Sequence, residues 1–253
     1  MTAESPPSRG RHHATPFPTT IPGAVTTGSP YFMVVVALFV TSLITANTVA
    51  VKILAFGPWV SDAGLLTFPI AYIVGDVLTE VYGYAAARRV IWLGFMCNAL
   101  AVGTYQLAGI LPAEATWDGG DAYTRIFAST PRLLLASFCA YLVGEFVNAY
   151  VLARLKVATN GRYLWTRTIS STVIGQGLDT VIFVLIAFGG TMSGDILWDM
   201  IVTGWLLKSA YEILATPLTY FVVNTLKRVE NVDTFDRHTD FRPVALNRPS
   251  AAN

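Results

Sequence analysis

The chain has 253 residues, of which 53% are hydrophobic and only 13% charged, about half the roughly 25% charge of an ordinary soluble domain. This balance indicates a polytopic membrane protein, and a net charge of +1 leaves no basic surface for nucleic acid. Cys97 and Cys139 lie in apolar segments without CxxC spacing and the three His residues lie in the tails, which argues against a disulfide framework, a zinc site or a Ser/His/Asp centre in the membrane. No Walker-type phosphate loop occurs, so an ATP-driven step would need a separate subunit.

Residues 1–30, rich in Pro, Thr and Ser, read as a disordered tail and not as a secretory signal. Tyr31–Leu54 is the first predicted span, with Asn47 deep in it and Lys52 near enough to its end to snorkel. A short connection with a Gly57-Pro58 turn leads to the second span, Leu65–Tyr82. That span holds two carboxylates, Asp76 and Glu80, spaced i,i+4 and so expected on one helical face, with Tyr72 one turn earlier. An ionised carboxylate in hydrocarbon costs at least about 2.5–3.5 kcal/mol, so this face must look toward protein or water.

Gly83 and Arg88-Arg89 are expected to close that helix, and Val90–Leu111 forms the third span. Residues 112–132 read as a polar loop whose acids match no EF-hand spacing, so no metal site is expected. Leu133–Leu152 is the fourth span, with Glu145 and Asn148 at i,i+3, and Arg154, Lys156, Arg162 and Arg167 crowd the loop after it. Ile169–Phe188 is the fifth, carrying Gln176 and Asp179 beside Gly175 and Gly177, which permit close helix approach. The sixth lies within Leu197–Val223, with Lys208, Tyr211 and Glu212 on one face and Pro217 able to kink it. The 229–253 tail reads as solvated.

Thirteen Lys and Arg fall in the two tails and the loops after spans two and four, against only Arg125 and Arg132 in the opposite loops. The positive-inside rule then places both tails in the cytoplasm. The fold class is all-α: a six-helix transmembrane bundle over residues 31–228, partnered by the lipid bilayer.

Asn47, Asp76 with Glu80, Glu145, Gln176 with Asp179, and Lys208 with Glu212 come from five different spans. A bundle hides them only by turning those faces inward, which predicts one shared polar pocket. Acids outnumber bases in it, so either some carboxyls hold protons or the ligand is cationic or rich in N–H donors. A flat, donor-rich heterocycle suits carboxylate and amide groups together, with Tyr72, Phe183, Trp205 and Tyr211 as candidate stacking rings. Trp59, Trp92, Trp165 and Trp198 read as membrane-interface residues.

The blocks ANTVAVKI, FPIAYIVGDVLTEVYG followed by AAARR, SSTVIGQGLDTVIFVLIAF, and the Lys208–Pro217 segment together resemble the queuosine-precursor transporters of the YhhQ type, relatives of vitamin-uptake transporters. The resemblance implies a six-helix membrane fold similar to the substrate-binding subunits of energy-coupling-factor importers. It also implies import of 7-deazaguanine compounds such as 7-cyano-7-deazaguanine or its aminomethyl relative, without a cofactor. Asn47, Asp76, Gln176, Asp179 and Lys208 match motif residues of that family. Proton symport, facilitated passage and action as a vitamin-binding subunit with an ATPase partner all stay open, as does assembly into a homo-oligomer. An intramembrane hydrolase is disfavoured, because an acid dyad needs carboxyls from facing elements and Asp76 and Glu80 share one helix.

Overall fold

The computed structural model describes residues 29–56, 59–127 and 131–245. The predicted disorder of residues 1–28, the Gly57-Pro58 turn, the side chain of Trp59 and the last eight residues of the tail lie outside them.

Helix α1 spans Pro30–Val49. It starts there because the Ser29 hydroxyl accepts the N–H groups of Tyr31 and Phe32 while Pro30 occupies a position that needs no donor. Two short antiparallel strands, β1 Ile53–Phe56 and β2 Trp59–Asp62, form a hairpin where the sequence indicated only a connection. A 3₁₀ turn at Ala63–Leu66 leads into α2, Phe68–Val77, which runs directly into a π-turn at Leu78–Tyr82. Then come α3 Tyr84–Ile110, α4 Gly120–Phe127, α5 Pro131–Ala158, α6 Leu164–Phe188 and α7 Gly194–Glu230.

By length and composition, four helices among the described residues can cross a membrane: α1, α3, α5 from Leu135 onward, and α6. Six crossings were expected. The second expected span is broken into a 3₁₀ turn, ten residues of α-helix and a π-turn. The sixth expected span is part of a 37-residue helix that holds Lys208 and Glu212 near its middle.

Three further expectations are corrected. The 112–132 loop contains α4, pinned by Tyr123 Oη donating to the Tyr105 carbonyl at 2.9 Å and Gln106 donating to the Phe127 carbonyl at 2.9 Å. Arg88 does not cap the second span; it lies in the second turn of α3, 3% exposed. The segment after α7 is not a solvated tail, because residues 231–245 form a strap across one end of the bundle. Arg88 donates to the carbonyls of Asp240 and Arg242, Trp92 to that of Pro243, and the Tyr84 hydroxyl to that of Phe241. Asp236 accepts the Tyr84 N–H at 2.9 Å, and burial pushes its carboxyl above the usual range. Gly83, at φ +83°, is required here, since a Cβ would stand 2.7 Å from Thr234 Cγ2.

Helices α5 and α6 approach each other closely. A Cβ on Gly144 would meet the Gly175 carbonyl at 3.2 Å, and one on Gly175 would meet the Gly144 carbonyl at 2.9 Å. Small residues at a membrane helix contact let the backbones touch and gain dispersion contacts along both helices. Replacing Gly144 by Leu is expected to destabilise the fold by at least about 1–3 kcal/mol through overpacking. Gly103→Ala, at a helical position with nothing within 4 Å, is expected to be neutral or stabilising. Thermal unfolding of the two variants in detergent checks the contrast.

Candidate functional site

Helix α5 provides a ruler for the interior. Ser137, Tyr141, Glu145, Asn148 and Lys156 recur at intervals of three, four or eight residues on one face. At about 1.5 Å per residue, Ser137 and Lys156 stand about 28 Å apart, close to the thickness of a hydrocarbon core. Three layers of polar groups are threaded along this stripe.

The first layer is a cavity of about 540 Å³, inside the roughly 300–1,000 Å³ range of small-molecule sites. α1 contributes Asn47, α5 Ser137 and Tyr141, α6 Gln176, Asp179 and Phe183, and α7 Lys208, while Phe68 at the start of α2 closes one side. Lys208 Nζ lies 2.7 Å from Asp179 Oδ2 and 5.0 Å from the centre of the Phe68 ring. Asn47 is held by two bonds: its Nδ2 donates to the Leu43 carbonyl at 2.9 Å and its Oδ1 accepts the Ser137 hydroxyl at 3.1 Å. Gln176 is 2% exposed, and its Oε1 has no partner among the described residues. The cavity thus offers a carboxylate and an amide oxygen that accept, an ammonium that donates, and aromatic faces beside an apolar wall. A flat molecule with a polar edge satisfies these groups and an aliphatic one does not.

The second layer lies deeper. Tyr72, Asp76, Glu145, Asn148 and Glu212 are all at most 2% exposed, and none lines the cavity. Asn148 Nδ2 donates to Asp76 Oδ1 at 2.7 Å.

The third layer is centred on Glu80, which is fully buried. Arg167 grips it in a bidentate pair, Nε to Oε2 at 2.8 Å and Nη2 to Oε1 at 2.7 Å, and Lys227 Nζ reaches Oε1 at 2.6 Å. Lys156 Nζ stands 3.6 Å from the same oxygen and 2.6 Å from Asp233 of the strap, which Lys227 also contacts at 2.9 Å. Burial pushes the Asp233 carboxyl up, but Lys156 and Lys227 outweigh that and hold it below the usual carboxylate range.

Of the residues that the sequence assigns to a polar pocket or its stacking rings, the structure gathers Asn47, Gln176, Asp179, Phe183 and Lys208 around the cavity. Asp76 and Glu212 sit beneath it. Glu80 sits at the far layer, its carboxylate already engaged by cations. Tyr211 is 38% exposed and outside the cavity. Among the other ring candidates, Trp205 is locked by its Nε1–H donating to the Val173 carbonyl at 2.9 Å. Asp76 and Glu80 part company because the π-turn begins two residues after Asp76, and the wider i→i+5 turn breaks the i,i+4 register.

Phe68, Ser137 and Tyr141 also line the cavity, outside the residues that the sequence singles out. The four-residue spacing from Ser137 through Tyr141 to Glu145 was the available signal. Lys156 and Arg167, read as loop charges, are 1% exposed and form the Glu80 network; a basic residue at the end of an apolar run looks the same in sequence whether it snorkels or pairs.

A sequence model of the family described as "Putative vitamin uptake transporter" matches residues 62–222. The chain is 31% identical over 180 residues to a "Probable queuosine precursor transporter" of Bacillus subtilis, covering 70% of this chain and 78% of that protein. It is 32% identical over 128 residues to a protein of the same description from Haemophilus influenzae, covering 51% and 52% of the two chains. It is 30% identical over 125 residues to the "Queuosine precursor transporter" of Escherichia coli, covering 49% and 54%. No solved structure matches the chain.

The family match includes Glu80 and Arg167 but ends before Lys227 and Asp233. Removing one partner of a buried pair leaves the other charge uncompensated, so Arg167→Ala is expected to cost about 3–5 kcal/mol. The double variant Glu80→Gln/Arg167→Gln is expected to be less destabilised than the sum of its single variants. Unfolding midpoints of the two singles and the double test this coupling.

Proposed function

The chain belongs to the vitamin uptake transporter family, and from that premise we propose that it carries a queuosine precursor, 7-cyano-7-deazaguanine or a related 7-deazapurine, across the cytoplasmic membrane. The observation that carries this reading is the cavity in which Asp179, Gln176, Lys208 and Asn47 converge beside Phe68 and Phe183. A deazaguanine edge presents adjacent N–H donors and a carbonyl. In this reading Asp179 accepts the donors, Gln176 and Asn47 pair with the ring edge, Lys208 donates to the carbonyl, and the phenylalanine rings pack on its faces. The names of the relatives from three bacteria support the same ligand.

The protein in this reading crosses the membrane six times, α2 with its π-turn and α7 adding to the four apolar helices, an arrangement similar to substrate-binding subunits of energy-coupling-factor importers. The short α2 element can sit at bilayer depth because its polar groups face other helices and not lipid. Positive-inside topology then puts both tails, the Glu80 network and the strap on the cytoplasmic side, and the cavity toward the outside. The passage from cavity to cytoplasm is closed by ion pairs in the state described.

Cells that cannot synthesise the precursor are expected to regain modified tRNA when they express this chain and are fed 7-cyano-7-deazaguanine. Asp179→Asn is expected to insert normally and to lower uptake. Normal uptake by that variant removes Asp179 from the site, and no rescue by the wild-type chain overturns the assignment. Reporters fused to either end are expected to be active on the cytoplasmic side only.

A further inference from the structure

Between the cavity and the Glu80 network, α2, α5 and α7 each place one carboxyl group: Asp76, Glu145 and Glu212, at 0%, 2% and 2% exposure. They lie near enough to interact electrostatically, Asp76 with Glu212, Glu145 and Glu80, and Glu145 with Asp179 and Glu212. The cations near them are engaged elsewhere. Lys208 pairs with Asp179, while Arg167, Lys156 and Lys227 pair with Glu80 and Asp233. None of the three acids is in an ion pair among the described residues. Tyr72 lies among the same groups, its ring electrostatically adjacent to Asp179, Glu145 and Glu212.

The local hydrogen bonding is incomplete. Among the described residues Asp76 Oδ2, Glu212 Oε1, Asn148 Oδ1 and the Tyr72 hydroxyl are buried with no partner, three acceptors against one unused donor, although Asn148 is already oriented into the cluster by its bond to Asp76. The backbone geometry leaves little slack. Glu145 Oε2 lies 3.2 Å from where a Cβ on Gly75, the residue before Asp76, would sit. The Tyr72 hydroxyl lies 3.2 Å from the equivalent point on Gly144, the residue before Glu145. Three ionised carboxylates packed this way would each bear the desolvation of a buried charge with no compensating cation. Each unpaired buried acceptor has also given up the hydrogen bond it had in water. A proton on a carboxyl removes a charge and turns an acceptor into a donor, which answers both deficits in one step.

We propose that Asp76, Glu145 and Glu212 form a proton-binding site that couples substrate import to proton entry. The assignment rests on the uptake reading and adds its driving force. A proton from water in the cavity passes to the Glu145 carboxylate. It is shared with Asp76 or Glu212 while the bundle faces outward. It leaves to cytoplasmic water when the Glu80 network parts, so one proton is taken up outside and one released inside, with no bond to the substrate made or broken. Glu80 is excluded as the carrier because Arg167 and Lys227 hold it as a carboxylate.

The test uses the purified full chain in liposomes that enclose a pH-sensitive dye, with labelled 7-cyano-7-deazaguanine outside. Uptake is expected to be accompanied by acidification of the lumen, to be accelerated by an inward proton gradient, and to be indifferent to replacing sodium by potassium. Glu145→Gln is expected to retain ligand-induced thermal stabilisation while losing both the acidification and the response to the gradient. Uptake without lumen acidification, or uptake driven by a sodium gradient alone, overturns the proton site and leaves the transport assignment standing. No uptake by the wild-type chain overturns the transport assignment and the coupling with it, a different result. Should Glu145→Gln fail to fold, the infrared spectrum of the wild-type protein decides separately: a carboxylic-acid C=O band at neutral pH is expected, and its absence overturns the proposal.

Discussion

The buried carboxylate of Glu80 organises one end of this molecule. It comes from the π-turn after α2 and is met by Arg167 of α6 and Lys227 of α7, with Lys156 of α5 just beyond and Asp233 of the strap completing the set. A lone ion at such depth would be prohibitive, and so would any of the cations without it. The elements are therefore held to one another by a shared requirement for neutralisation, which dispersion between apolar helices could not impose with the same specificity. The bidentate Arg167 pair also fixes orientation, since a planar guanidinium matches a carboxylate in only a few geometries. The strap adds to this joint through Asp233 and through carbonyls offered to Arg88, Trp92 and Lys156.

With one end closed by charge, the opposite half of the bundle is free to hold a cavity. The Gly144–Gly175 contact draws α5 and α6 together, so the polar stripe of α5 and the Gln176–Asp179 face of α6 are stacked side by side. The result is an ordered descent: an ion pair at a partly exposed cavity, then unpaired acids, then a saturated ion network. These layers differ in what they can exchange with. In the proposed transport reading, Lys208 and Asp179 trade each other for a ligand's polar edge, the middle acids exchange a proton, and the Glu80 layer comes apart before anything passes. The interior placement of all these ionisable groups accords with that of membrane transport proteins.

Membership of a transporter family and a cavity of this chemistry reinforce one another because they rest on different observations. The family match is carried by sequence between residues 62 and 222. Asn47, which lines the cavity with a side chain pinned by Leu43 and Ser137, lies outside that segment.

Much of this was legible in the chain. An apolar composition with sparse charges determined a membrane bundle, and the presence of Asn47, Gln176, Asp179 and Lys208 at depth determined that their helices face inward, because lipid cannot solvate them. Helical spacing even placed Gln176 and Asp179 together. Tertiary structure decided which polar groups share a layer. The i,i+4 spacing of Asp76 and Glu80 promised one site, and a π-turn made two, since a single extra residue in a turn redirects everything after it. It also decided that Lys156 and Arg167 turn into the protein and that residues 231–245 fold back over the helix ends. Those outcomes depend on partners far apart in sequence, Glu80 with Arg167 and Lys227, Tyr84 with Asp236, and local periodicity carries no information about which distant charge or carbonyl will be there to meet them.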